Sequence, residues 1–111
     1  MGQRTTRVNA LLKREISNLI HTFYQDETVY ITITEVEVSP DLRNARVYYS
    51  TLGDKVSQAA AVSFFTKKAS DIRRRVGQKV VLKYLPFFQF ILDHSIERGT
   101  QLLKIIDELD E

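Results

Sequence analysis

The chain contains no cysteine and no tryptophan, and only four glycines and two prolines among its 111 residues. Without thiols it has no disulfide, no thiolate metal site and no cysteine nucleophile, which fits a reducing compartment. With two histidines, His21 and His94, a metal centre has little to build on, and none is expected. The few glycines form no phosphate-cradling loop, which argues against nucleotide hydrolysis, and no cofactor is expected. No apolar run approaches the roughly 20 residues of a membrane span, and residues 1–7 lack the apolar stretch of a secretory signal. A cytoplasmic protein with no membrane contact is the expectation, its amino end being the first structural element.

What is present is an ordinary globular composition, 43% hydrophobic and 27% charged. Such a chain can fold as a single compact domain. The formal net charge is only +2, so any preference for an anionic partner must come from how the charges are distributed.

The apolar residues Val8, Leu11, Leu12, Ile16, Leu19, Ile20 and Phe23 recur every three or four positions and predict an amphipathic helix over 6–24. Its polar side carries Arg7, Lys13, Arg14, Asn18 and His21, with Arg7, Arg14 and His21 roughly in line. From Val29 to Val38 the β-branched residues change phase, with Val29, Ile31 and Ile33 on one and Val36 and Val38 on the other. A strand with a bulge at Thr34 or Glu35 is predicted. Turn formers fill 39–44, and Val47 and Tyr49 then alternate with Arg46 and Tyr48 in a second strand, closing an antiparallel hairpin. A helix over 57–69 carries Val62 and Phe65. Ser70 or Asp71 can cap a following helix bearing Ile72, Val76 and Val80, so two helices meeting at a kink are expected. Residues 81–92 form a third, largely apolar strand in which Pro86 requires an edge position or a bulge. The order helix, strand, strand, helix, helix, strand predicts a two-layer α+β domain, a three-stranded sheet with helices on one face. The domain is expected to cover 1–95, followed by a helix or docked acidic tail over 96–111. Tyr30 and Tyr48 are candidates on the open sheet face for contact with a partner or solvent.

The basic residues cluster. Lys67, Lys68, Arg73, Arg74, Arg75, Lys79 and Lys83 face the single acid Asp71. If Ile72, Val76 and Val80 turn inward, Arg74 and Arg75 project outward and offer guanidinium forks to phosphate oxygens, with Lys79 adding a charge one turn later. Arg4, Arg7, Lys13 and Arg14 can extend that surface. Tyr84, Phe87, Phe88 and Phe90 could stack bases, but most are expected to be core. Asp93, His94 and Ser95 hold the letters of a hydrolase triad, yet adjacent residues cannot adopt its geometry. A helix cap by Asp93 or Ser95 is the plainer reading, and no catalytic residue is assigned.

The segment VYITITEVEVSPDLRNARVYYS, residues 29–50, resembles the central hairpin of ribosome-binding factor A. A second block, Ile72 and Arg73 with Gly77, then Pro86, Phe90 and residues 93–99, resembles the family's closing block in order and spacing, and the amino helix fits as well. The resemblance covers most of the chain. It implies a type II KH-like domain that binds the small (30S) ribosomal subunit and its 16S rRNA. It further implies help in late maturation and precursor processing, particularly in the cold, with a dedicated GTPase assisting release. Two positions depart from the family pattern. Ser70 stands at the glycine of an Ala-x-Gly kink, and Asp71 stands where a hydrophobic residue is common. A standard KH domain clamps single strands with a Gly-x-x-Gly loop, and Gly2, Gly53, Gly77 and Gly99 supply no such spacing. Recognition of folded RNA by shape and backbone charge is therefore expected, by a non-catalytic, monomeric protein. The alternative is a protein-interaction module that uses the open sheet face or the amphipathic tail.

Overall fold

A computed structural model describes residues 2–93, with side chains from Thr5 onward. Helix α1 spans Gly2–Phe23 and a single-turn helix α2 spans Gln25–Thr28. Strands β1 (Ile31–Val38) and β2 (Asn44–Thr51) follow, then helix α3 (Lys55–Gly77) and strand β3 (Phe87–Leu92). The sheet order is β1-β2-β3, with β1 and β2 antiparallel and β2 and β3 parallel. A parallel neighbour cannot be reached through a tight turn, so α3 serves as the crossover from β2 to β3.

Both long helices pack against one face of the sheet, with α1 over β1 and α3 over β2 and β3. The helical period of α1 places Leu12, Ile16 and Ile20 in the interior with no exposure, while Val8 and Leu19 are half-buried beside them. In β1 the register passes from Ile33 opposite Tyr49 to Glu35 opposite Tyr48, leaving Thr34 as the extra residue of a bulge. The extra residue restores inward phase: Ile31 and Ile33 are buried before it, Val36 and Val38 after it. The expected phase change is therefore real, and its physical cause is one unpaired residue.

Four expectations are corrected. The helical connection is one helix, unbroken through Ser70. Ser70 keeps helical backbone angles, the only non-glycine residue with positive φ among the described residues being Leu42. Asp71 does not cap a new helix; it binds Arg74 and Arg75 three and four positions on, contacts that support a continuous helix. The third strand starts at Phe87, six residues later than expected, because Pro86 has no N–H for a ladder and the carbonyls of Leu85 and Pro86 accept from the Arg73 side chain instead. Val81, expected within that strand, is fully exposed. The first strand begins at Ile31, since residues 25–28 form α2, where buried Thr28 donates its hydroxyl to the carbonyls of Ile20 and Tyr24. Finally, Phe64 takes an inward place beside Phe65 in α3, and Val62 is exposed.

Local chemistry fixes the connections. The Asp54 carboxylate caps α3 by accepting from the Ser57 amide at 3.1 Å, and Gly53 before it has φ +116, a backbone state that favours glycine. In the hairpin turn the Asp41 carboxylate accepts from the Ser39 hydroxyl and the Arg43 amide, which together hold its carboxyl below the usual range. The Arg43 carbonyl then accepts from the Phe87 amide, so the turn also sets where β3 begins. The tail over 96–111 and its boundary, with His94 and Ser95, lie outside the described residues. Asp93 accepts at 2.9 Å from the Thr34 hydroxyl in the bulge, and its amide donates to the Tyr49 carbonyl.

The centre of the α3 contact is Phe65, stacked on Phe90 at 4.3 Å and tilted against Tyr49 at 4.5 Å between ring centroids. At the other flank the Tyr24 ring packs edge-on against Phe64, and its hydroxyl donates to the Asp71 carboxylate, joining α1 to α3. Burial, followed by that bond to a carboxylate, pushes the Tyr24 phenol up to about 12.

Phe65→Ala should cost about 3–5 kcal/mol in urea unfolding, since it empties a site walled by two other rings; a loss below about 1 kcal/mol contradicts this packing. A phenol raised in the folded state contributes stability that is complete below its unfolded value near 10 and disappears as pH rises toward 12. The urea-midpoint gap between the wild-type protein and Tyr24→Phe should accordingly be constant to about pH 9 and close above it. Tyr30 and Tyr49, also raised by burial, leave an alkaline loss common to both proteins.

Candidate nucleic-acid interface

The expected cations fall into groups that differ in what their side chains touch. On α1, Arg7, Lys13 and Arg14 are exposed, and Arg14 has only a loose ion pair with Glu15 at 3.6 Å. Arg4 lies in α1, but its side chain is outside the described set. Arg14 sits two residues, about 200° of helix rotation, from the core residue Ile16, and therefore faces away from the core. Arg7, seven residues earlier, lies on the same line. His21 continues the line but turns to the sheet, its Nε2–H donating to the Ile31 carbonyl at 2.7 Å.

On α3, Lys67 and Arg74 are also seven residues apart and exposed. Arg74 lies about 200° round the helix from buried Ile72, so this row too faces away from the shared core. The outer surface of the helical layer thus carries two cationic rows, one on each helix. Lys68 is half-buried, next to Glu27, Tyr30, Ser63 and Phe64 along a shallow depression between α2 and α3. Lys79 and Lys83 are exposed on the segment after α3, with the Lys83 ammonium 5.6 Å from the Tyr84 ring centre.

The arginine run does not stand free, contrary to expectation. Arg73 is turned from solvent: its Nε donates to the Pro86 carbonyl at 2.9 Å and its Nη2 to the Leu85 carbonyl at 2.7 Å, with the guanidinium 4.4 Å from the Phe87 ring centre. Five fixed donors and a planar head make arginine suited to bridging two successive carbonyls. Its role here is to hold the approach to β3. Arg75 donates from Nε to Asp71 at 2.9 Å and lies 3.6 Å from the Phe23 ring centre, leaving its side chain 30% exposed. Arg74 donates from Nη2 to the other Asp71 oxygen at 2.6 Å, yet its side chain stays 60% exposed. Hydrogen bonds from Tyr24, Arg75 and Arg74, in that order of effect, hold the Asp71 carboxyl far below the ordinary carboxylate range, and Asp71 in turn raises Arg75.

The spacing of Asp71 to Arg74 and Arg75, three and four residues, is a helical ion-pair pattern and was the available signal for this engagement. Phe23, which receives Arg75, gave no such signal, because its spacing matches the core stripe although it is half-exposed at the helix end. The aromatic cluster divides: Phe88 and Phe90 pack against the core, whereas Tyr84 and Phe87 are exposed, Phe87 at 66%. The open sheet face carries no cationic excess, its exposed charges being Glu35 and Glu37 against Arg46. Tyr30 and Tyr48 are half-buried and make poor free surfaces. Among the described residues no group of three metal-ligating side chains occurs, and no helix is long and apolar enough to cross a membrane.

The arrangement suits contact with phosphates spaced along a polyanion rather than base reading, since lysine and arginine heads on convex helices reach backbone oxygens more readily than base edges. The profile of the ribosome-binding factor A family matches residues 4–106. The ribosome-binding factor A of Opitutus terrae is 44% identical over 110 residues, covering 99% of this chain and 90% of that one. The crystal structure of ribosome-binding factor A from Thermus thermophilus superposes with TM-score 0.69 at 18% identity, over 79% of this chain and 94% of that one. A homology model of the Thermus thermophilus factor, as fitted into a cryo-electron-microscopy map of its 30S complex, gives TM-score 0.65 at 19% identity, over 78% and 91% of the two chains. The α+β architecture, with its three-stranded mixed sheet, is the KH-like one of these structures. A sequence match over nearly the whole chain, on this fold, places the protein in the ribosome-binding factor A family.

Proposed function

We propose that this protein is a ribosome-assembly factor that binds the small (30S) ribosomal subunit through its 16S rRNA and acts by binding energy alone. The observation that carries the reading is the pair of solvent-facing cationic rows, Arg7 and Arg14 on α1 and Lys67 and Arg74 on α3, in a chain of this family. The Thermus thermophilus factor of the same fold has been fitted into a map of a 30S complex, which supports the same partner here. Each lysine or arginine that meets a phosphate releases a condensed counterion, so affinity is supplied by charge and shape without a base code. A factor of this kind favours the subunit conformation it fits and leaves when the mature conformation no longer matches. Such binding serves late maturation and processing of precursor rRNA in the cytoplasm, most of all in the cold, where misfolded RNA escapes slowly. The protein works as a monomer without cofactor or catalysis, and a ribosome-assembly GTPase assists its release.

In this reading the cations divide by role, a division supported by what each side chain touches. Lys67, Arg74, Lys79 and Lys83, with Arg7, Lys13 and Arg14 on α1, meet RNA; Arg73 positions the β3 approach. Binding of purified 30S subunits should weaken steeply with salt, log affinity falling by about 0.7–0.9 per phosphate contacted for each unit of log salt. Joint replacement Lys67→Ala, Arg74→Ala and Lys79→Ala should weaken binding about 10- to 100-fold and flatten that salt slope by two to three phosphate equivalents, about 2 log units per log unit of salt. Arg73→Ala should lower thermal stability while the folded fraction binds normally. Salt-indifferent binding, or a larger binding defect from Arg73→Ala than from the triple variant, would contradict this division.

A further inference from the structure

Among the described residues, carboxylates lie within ion-pair distance of three arginines only: Arg14 loosely, and Arg74 and Arg75 closely, the latter two on the same group. Asp71 offers two oxygens, and both are occupied. One accepts from Arg74; the other accepts from Arg75 and from the Tyr24 hydroxyl. A phosphate diester also presents two unshared oxygens to guanidinium forks, so the carboxylate fills the place a phosphate would take between these two arginines. It is held there by the phenol of Tyr24, the residue that follows α1, and by the guanidinium groups of α3, and Arg75 is further fixed over the Phe23 ring. Among the described residues no carboxylate lies within ion-pair distance of Lys67, two turns before Arg74 on the exposed side of the same helix.

We infer that Asp71 is an internal phosphate mimic that limits RNA affinity by engaging Arg74 in competition with the RNA backbone, while Arg75 and Tyr24 hold the carboxylate in place. The inference rests on the proposed function and adds a residue that sets its strength. A factor that must leave its RNA benefits from a competitor that re-forms its contacts as the phosphate departs, because the guanidinium groups are never left bare. The carboxylate also repels phosphates approaching the α3 row, which lowers attachment to any RNA backbone, specific or not.

The experiment is fluorescence-anisotropy binding of a 16S rRNA transcript across a salt series, with folding of each variant followed by circular dichroism. Asp71→Asn keeps the shape and an acceptor oxygen, and Asp71→Ala, with the best helix propensity, provides a second neutral variant should the first unfold. Both should bind about three- to tenfold more tightly than wild type near 100 mM salt, and with a steeper salt slope, as expected for removing one charge near a phosphate. In an Arg74→Gln background, Asp71→Asn should give no gain over Arg74→Gln alone. Folded neutral variants that bind equally or more weakly than wild type would overturn the inference, as would an equal gain from Asp71→Asn in the Arg74→Gln background. Wild-type protein showing no salt-dependent binding would instead count against the proposed function itself.

Discussion

A single carboxylate organises the meeting of the two long helices. Asp71, in the second half of α3, receives the hydroxyl of Tyr24, the residue just after α1, and two guanidinium groups from its own helix. The chain has no disulfide and no metal cluster among the described residues, so noncovalent contacts must set the angle and depth at which α1 rests beside α3. Ring packing of Tyr24 on Phe64 supplies the apolar part of that contact, and the bond to Asp71 supplies its direction. Because the position of α1 decides where Arg7 and Arg14 stand relative to Lys67 and Arg74, the internal ion cluster and the outward cationic surface are two consequences of one arrangement.

Three adjacent arginines illustrate why position along a helix matters more than residue type. Successive residues on α3 are rotated by about 100°, so Arg73, Arg74 and Arg75 meet three different surroundings. Arg73 reaches the carbonyls that precede β3, Arg75 lies across Phe23, and Arg74 keeps most of its surface in solvent. The first completes the fold by satisfying acceptors that Pro86 leaves outside the ladder. The second belongs to the joint between the helices. The third is the member of the run best placed to meet an external phosphate.

Much of this architecture was legible in the sequence because it follows from periodicity. The α1 stripe, the phase change at Thr34 and the turn at 39–44 are local patterns, and the structure places a helix, a bulge and a hairpin there. The continuous α3 was not legible, since Ser70 and Asp71 have cap-forming side chains and only the tertiary partner Tyr24 shows that Asp71 is engaged elsewhere. The late start of β3 depends on Arg73 capturing two carbonyls, a contact between segments more than ten residues apart. The basic cluster was visible as composition, but composition cannot distinguish a guanidinium that faces water from one bound to backbone. The family likeness, by contrast, was carried by the hairpin residues 29–50 and is matched across 4–106.

On the proposed function, the outer surface of the two-helix layer, and not the open sheet face, meets small-subunit RNA. Ultraviolet crosslinking in cells, with sequencing of the bound RNA and mass-spectrometric mapping of the crosslinked peptides, tests it most directly. Enrichment of precursor small-subunit rRNA and crosslinks on peptides carrying Arg7 to Arg14, Lys67 and Arg74 are expected. Crosslinks confined to the sheet peptides around Glu37, Arg46 and Gln89, or no enrichment of small-subunit RNA, would contradict it and favour a protein-interaction module.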